Sequence, residues 1–123
     1  MTKQTLASAL QIYGREALLL TVGIDGPHTC NVTVELADRT VGCIPSKTAT
    51  RNMRRQPNVS LVWPAIENGG YAIIANGVTE IDEDPAGFSK ARITLTKSVL
   101  HRAGPRPPDG KEGPCSSDCV ELV

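Results

Sequence analysis

Apolar residues recur along the chain in short runs separated by turn signals, with one helical pattern at the start. Leu6, Leu10 and Tyr13 share one face of a helix over 3–13, and Gly14 stops it. Ala17–Val22 is a continuous apolar run of strand length, and Asp25-Gly26-Pro27 turns the chain. Cys30, Val32, Val34 and Leu36 then alternate with Asn31, Thr33 and Glu35, the period of a half-buried strand. Asp38-Arg39 leads into a strand over 40–44. A loop enters a helix near Ser46–Thr48, and Pro57 closes that helix. Val59–Trp63 and Tyr71–Ile81 read as strands around the turn Glu67-Asn68-Gly69-Gly70, with Gly77 marking a bulge or sharp bend.

Asp84-Pro85 fits an N-cap followed by a first-turn proline. Phe88, Arg92, Leu95 and Val99 repeat every three or four residues, which predicts a helix over 86–102. The β-branched Ile93, Thr94 and Thr96 pull the other way. Residues 104–118 are rich in Pro and Gly, and CVELV at the end reads as a short closing strand. Short strands joined by tight turns point to a mainly β antiparallel barrel with flanking helices. The expected organisation is one domain over 1–103 and a tail over 104–123.

Composition narrows this picture. With one Phe, one Trp and two Tyr, the core must rest on Val, Ile, Leu and Ala, and a base-stacking surface is not available. Thirteen basic residues balance thirteen acidic ones, which argues against nucleic acid or an anionic membrane as partner. No apolar run approaches the roughly 20 residues of a membrane span. The first residues make a poor secretory signal, so a cytoplasmic location is expected, with the four cysteines as thiols.

Against that neutral background, IPSKTATRNMRR gathers hydroxyls and cations between two strands. Such a run is often only a solvated helix face. It also holds what a phosphate group needs: amides at a helix start, hydroxyl donors and cations.

Three stretches, LLLTVGIDGPHTCNV, VGCIPSKTATRNMRRQPNVSLVW and YAIIANGVTEIDEDP, together resemble the FMN-binding split-barrel superfamily. That group holds pyridoxamine 5'-phosphate oxidase-like proteins, small FMN-binding proteins and deazaflavin-dependent reductases. The resemblance spans about residues 5–88. It implies a six-stranded antiparallel split β-barrel that forms a homodimer with flavin sites at the interface. It also implies an oxidoreductase transferring electrons or hydride through FMN to a small acceptor. The alternatives are a non-catalytic FMN carrier or sequestering protein and a deazaflavin-dependent reductase, for which Arg54 and Arg55 suit a longer acidic tail. By resemblance, Ser46, Lys47, Thr48 and Asn52, with Arg51, contact phosphate or ribityl groups. Thr29, Cys30 and Asn31 run beside the ring, and Trp63 approaches it from the partner subunit.

Two departures stand out. The family's basic phosphate ligand falls nearer Thr48 or Ala49 than Lys47. The Arg-rich C-terminal segment of the true oxidase has no counterpart, so oxidation of pyridoxamine phosphate is not expected. His28 is read as an exposed turn residue, with a proton-donor role to the flavin product as the alternative. Cys115 and Cys119 are read as loop thiols, with a reversible disulfide as the alternative. No pattern of His with acidic residues suggests a metal.

Overall fold

The computed structural model describes residues 4–103 and 117–122. Of the expected irregular stretch over 104–118, residues 104–116, with Cys115, lie outside the described residues, and Ser117 and Asp118 belong to a strand. Helix α1 spans Leu6–Tyr13. Thr5 caps it through a reciprocal pair with Ser8, and the Gly14 amide closes its end on the Leu10 carbonyl at 2.9 Å. Leu6 and Ala9 are its buried face, and the Tyr13 hydroxyl donates to the Tyr71 carbonyl at 2.6 Å.

Eight strands follow: β1 (Glu16–Gly23), β2 (Gly26–Thr33), β3 (Glu35–Ala37), β4 (Thr40–Cys43), β5 (Asn58–Trp63), β6 (Ala72–Glu83), β7 (Ser89–Ala103) and β8 (Ser117–Leu122), with α2 (Lys47–Arg55) between β4 and β5. All pairings are antiparallel, in the order β2-β1-β5-β6-β7-β4-β3, and β8 adds to β7. Among the described residues the sheet has eight strands, where six were expected. One reason is that the expected strand around Cys30–Leu36 changes partner at Val34: as far as the Val34 amide, which donates to the Arg15 carbonyl at 2.8 Å, it runs along β1, and from Glu35 it pairs with β4. Its two parts, β2 and β3, stand at opposite ends of the pairing order yet are separated by Val34 alone. Consecutive Cα atoms are about 3.8 Å apart, so the sheet must curl until its two ends approach each other. Leu19, Val34, Val41, Leu61, Trp63, Ile73 and Ile93 fill the space it encloses.

The helix expected over 86–102 is a strand. Ala91 and Ile93 are buried and Leu95 partly so, while Arg92, Thr94 and Thr96 point out, a period of two. The register then slips: Gly77 faces Leu95 but Asn76 faces Lys97, leaving Thr96 as an extra residue. Beyond that bulge Ser98 and Leu100 are buried. The phase change puts a gap of three into a period-two pattern, and this imitates helical spacing. The residues that suggested the helix share no face: Phe88 sits exposed in a turn, Arg92 is outside and Leu95 inside.

Asp84 also has a different office from the one expected. Its carboxylate accepts from the Ala86 and Phe88 amides at 3.0 and 2.9 Å, and its carbonyl accepts from Gly87 at 2.9 Å. This is hairpin-turn chemistry, with Pro85 second and Gly87 fourth at φ 87°. The acceptor groups are those an N-cap would use, which is why the sequence admits both readings. Asp84→Ala is expected to lower stability by about 1 kcal/mol, measured as a shift in the urea midpoint.

Candidate functional site

Helix α2 begins at Ser46, whose hydroxyl accepts from the Ala49 amide at 3.1 Å. The Ser46 carbonyl takes both the Thr50 amide and the Thr50 hydroxyl at 2.9 Å. The amides of Lys47 and Thr48 are the first in the helix, and among the described residues nothing accepts from them. No acidic residue stands in the first turn. The positive end of the helix dipole is therefore uncompensated.

The helix is divided sharply. Ala49, Asn52 and Met53 are buried, and Thr50 nearly so. Lys47, Arg51, Arg54 and Arg55 form the exposed face. Arg54 is ion-paired with Glu83, and Arg55 donates to the Val22 carbonyl at 3.1 Å. Among the described residues Lys47 and Arg51 have no such partner. A cleft of about 520 Å³ opens beside this face, between α2 and the β6–β7 turn. Lys47, Thr50, Arg51 and Arg54 line it together with Ile44 and Phe88. Phe88 is 72% exposed and Ile44 75%, an unusual outlay of apolar surface beside free cations. The volume lies in the range of small-molecule sites.

The other expected site residues are elsewhere. Asn52 is buried and donates its side-chain amide to the Thr21 hydroxyl at 3.0 Å, fastening α2 to β1. Thr48 is half-buried and does not line the cleft. Thr29, Cys30 and Asn31 lie on β2, opposite Leu20, Leu19 and Leu18. Thr29 and Asn31 face outward, Cys30 packs against the core, and none lines the cleft. Trp63 is 1% exposed, with its ring enclosed in the core of its own subunit. His28 is half-buried rather than exposed, with Nδ1 shielded and without a partner.

Sequence reasoning missed Phe88 as a cleft residue because it assigned 86–102 to a helix. The signal was present in Asp84-Pro85-Ala86-Gly87, which matches a type I turn at every informative position. A turn there puts Phe88 at a loop tip.

Burial raises the Cys43 thiol from 9.0 to about 11; nearby Cys30 adds to the rise, and Lys90 opposes it. Iodoacetamide at neutral pH is expected to leave Cys43 unmodified in the folded protein and to modify it in urea, read by peptide mass spectrometry. The neutral form is the one the fold favours. Its contribution to stability is thus complete below pH 9.0 and is lost as pH rises through about 11.

Among the described residues no group of His, Cys, Asp or Glu is arranged to hold a metal ion. No helix among them is long and apolar enough to cross a membrane.

No family model matches the chain. Uncharacterized proteins of Mycobacterium bovis and Mycobacterium tuberculosis are each 30% identical over 99 residues, 78% of this chain. The chain spans 65% of the length of these curated relatives. Among solved structures, a Clostridium acetobutylicum protein of the pyridoxinephosphate oxidase family superposes with a TM-score of 0.66 at 12% identity, over 94% of this chain and 92% of its own. A putative pyridoxamine 5'-phosphate oxidase from Listeria innocua gives 0.62 at 17% identity, over 75% and 92%. A protein described as an F420 reductase gives 0.61 at 16% identity, over 72% and 94%. The chain shares the fold of these solved structures.

Proposed function

We propose that the chain is an FMN-dependent oxidoreductase whose cofactor phosphate sits at the start of α2. The observation that carries this reading is the pairing of two unmet amides, at Lys47 and Thr48, with two unpaired cations, Lys47 and Arg51. A dianionic phosphate ester satisfies all four at once. Ile44 and Phe88 offer apolar surface to the ring that such an ester carries. Once bound, the flavin supplies hydride and electron transfer; the protein's share is to anchor and orient it and limit water around it. Among the described residues no carboxylate or imidazole lines the cleft, in keeping with chemistry that resides in the cofactor.

The fold reading behind this is a six-membered barrel, with β2 and β3 counted as one bent strand and β8 as an addition to β7. A homodimer belongs to the same reading. Val22 on β1, Ile24 in the turn after it and Val78 on β6 are exposed apolar residues that a second copy would cover. The tail over 104–123 counts as an appendage of one domain. Free thiols at Cys30, Cys43 and Cys119 are compatible with the reducing cytoplasm.

One observation bears on the deazaflavin alternative. The case for a longer acidic tail rested on Arg54 and Arg55, and both already have partners within the protein. This favours the shorter FMN. The test is titration of the purified chain with FMN, followed by flavin fluorescence. Saturable quenching with a dissociation constant of about 1 μM or lower supports the proposal, and unquenched fluorescence overturns it. Stopped-flow mixing of the loaded protein with reduced nicotinamide, then with acceptors, separates an enzyme from a carrier.

A further inference from the structure

β7 and β8 pair with His101 directly opposite Cys119. The imidazole Nδ1 lies 3.3 Å from the Cys119 sulfur, and Cys119 is exposed. With the ring proton on Nε2, Nδ1 accepts from the thiol. This is the geometry of a nucleophile beside a base. Cys30 and Cys43, by contrast, pack on the core side of their strands.

We propose that Cys119 is a site of S-thiolation by low-molecular-weight disulfides, with His101 as its base. As the sulfur attacks, its proton passes to Nδ1 of His101. A bond forms between the Cys119 sulfur and one sulfur of the incoming disulfide, and the original S–S bond breaks. The departing thiolate takes the proton back from the imidazolium. Cys119 is oxidised to a mixed disulfide and half of the reagent is reduced to a free thiol, so no further oxidant is needed.

On the outer side of the sheet β6 presents Ala72 and Ile74, which carry no charge. Glu121 is two residues along β8 from Cys119, and Lys97 lies farther along β7. Arg102, the next residue after His101, is turned to the other side, over the Tyr71 ring at 4.5 Å. His101 is therefore the group in contact with the thiol.

The test uses the full chain carrying Cys115→Ser, so that the nearby cysteine does not share the label. The reagent is 2,2'-dithiodipyridine, with peptide mapping to locate the adduct. Cys119 in the folded protein is expected to react about tenfold faster than in the urea-unfolded chain at the same pH. Its rate falls as imidazole protonates. His101→Ala removes the advantage, and added free imidazole restores part of it, which a purely structural role would not allow. If His101→Ala fails to fold, the pH profile of the parent chain decides: a rate that tracks only thiol ionisation overturns the proposal. So does a folded-state rate no higher than the unfolded one, or a rate indifferent to His101→Ala.

Discussion

Replacing Lys47 and Arg51 together by alanine is expected to weaken FMN binding by roughly 100-fold or more, while the urea midpoint stays where it is. Hydrogen bonds to charged groups contribute roughly 1.5–3 kcal/mol each, and about 1.4 kcal/mol is a factor of ten. Both side chains are exposed and neither has an ion-pair partner among the described residues, so their loss uncovers no buried group. Binding should also become less sensitive to salt, because the lost attraction is the screened one. Fluorescence titration at two ionic strengths measures both effects. Unchanged affinity in the double variant removes the phosphate from α2. Asn52 makes a poor probe by comparison. It is buried on Thr21, so its substitution reports on the seating of the helix rather than on a ligand.

The largest effect on stability is expected at Gly77. A Cβ there would lie 2.5 Å from Ile93 Cγ2 and 2.6 Å from the Thr94 carbonyl oxygen. Ile93 is 1% exposed and Thr94 belongs to the paired strand, so neither neighbour can retreat without moving the sheet. Gly77→Ala is expected to cost about 3 kcal/mol, at the upper end of overpacking penalties. For a domain of this size that is a fall of more than about 10 °C in Tm, read by thermal unfolding followed by circular dichroism. Gly42→Ala is the control. Its Cβ would meet Lys90 Cε at 3.1 Å, an atom near the end of a flexible side chain. A small cost at Gly42 and a large one at Gly77 would locate the penalty in close packing rather than in strand glycines generally. Equal costs would contradict it.

Gly77 also shows where the sequence was legible and where it misled. Its place inside an apolar run announced a bulge, and the register does slip there. The consequence appeared on the neighbouring strand, where the slip disguised β7 as a helix. A bulge is a property of two strands, and local periodicity sees one. The first helix, β1, β4, α2, β5 and β6 were readable because each carries its own punctuation: Gly14, Asp25-Gly26, Asp38-Arg39, Ser46, Pro57 and Asn68-Gly69-Gly70. The division of the expected strand at Val34 was not readable, because it is a change of pairing partner, from β1 to β4, which alternation within a single strand does not record.

The candidate site divides the same way. Composition alone marked 44–55 as the place where a neutral chain concentrates positive charge, and Ser46 and Pro57 set the limits of the helix that carries it. The tertiary structure decided which side chains remain available. Burial against β1 consumed Asn52, Glu83 neutralised Arg54, the Val22 carbonyl took Arg55, and the sheet enclosed Trp63. Local sequence fixes hydroxyl, charge and helix together because they lie within a few residues of one another. Solvent access and pairing depend on groups that only folding brings near, and those left Lys47 and Arg51 lining one cleft with Phe88.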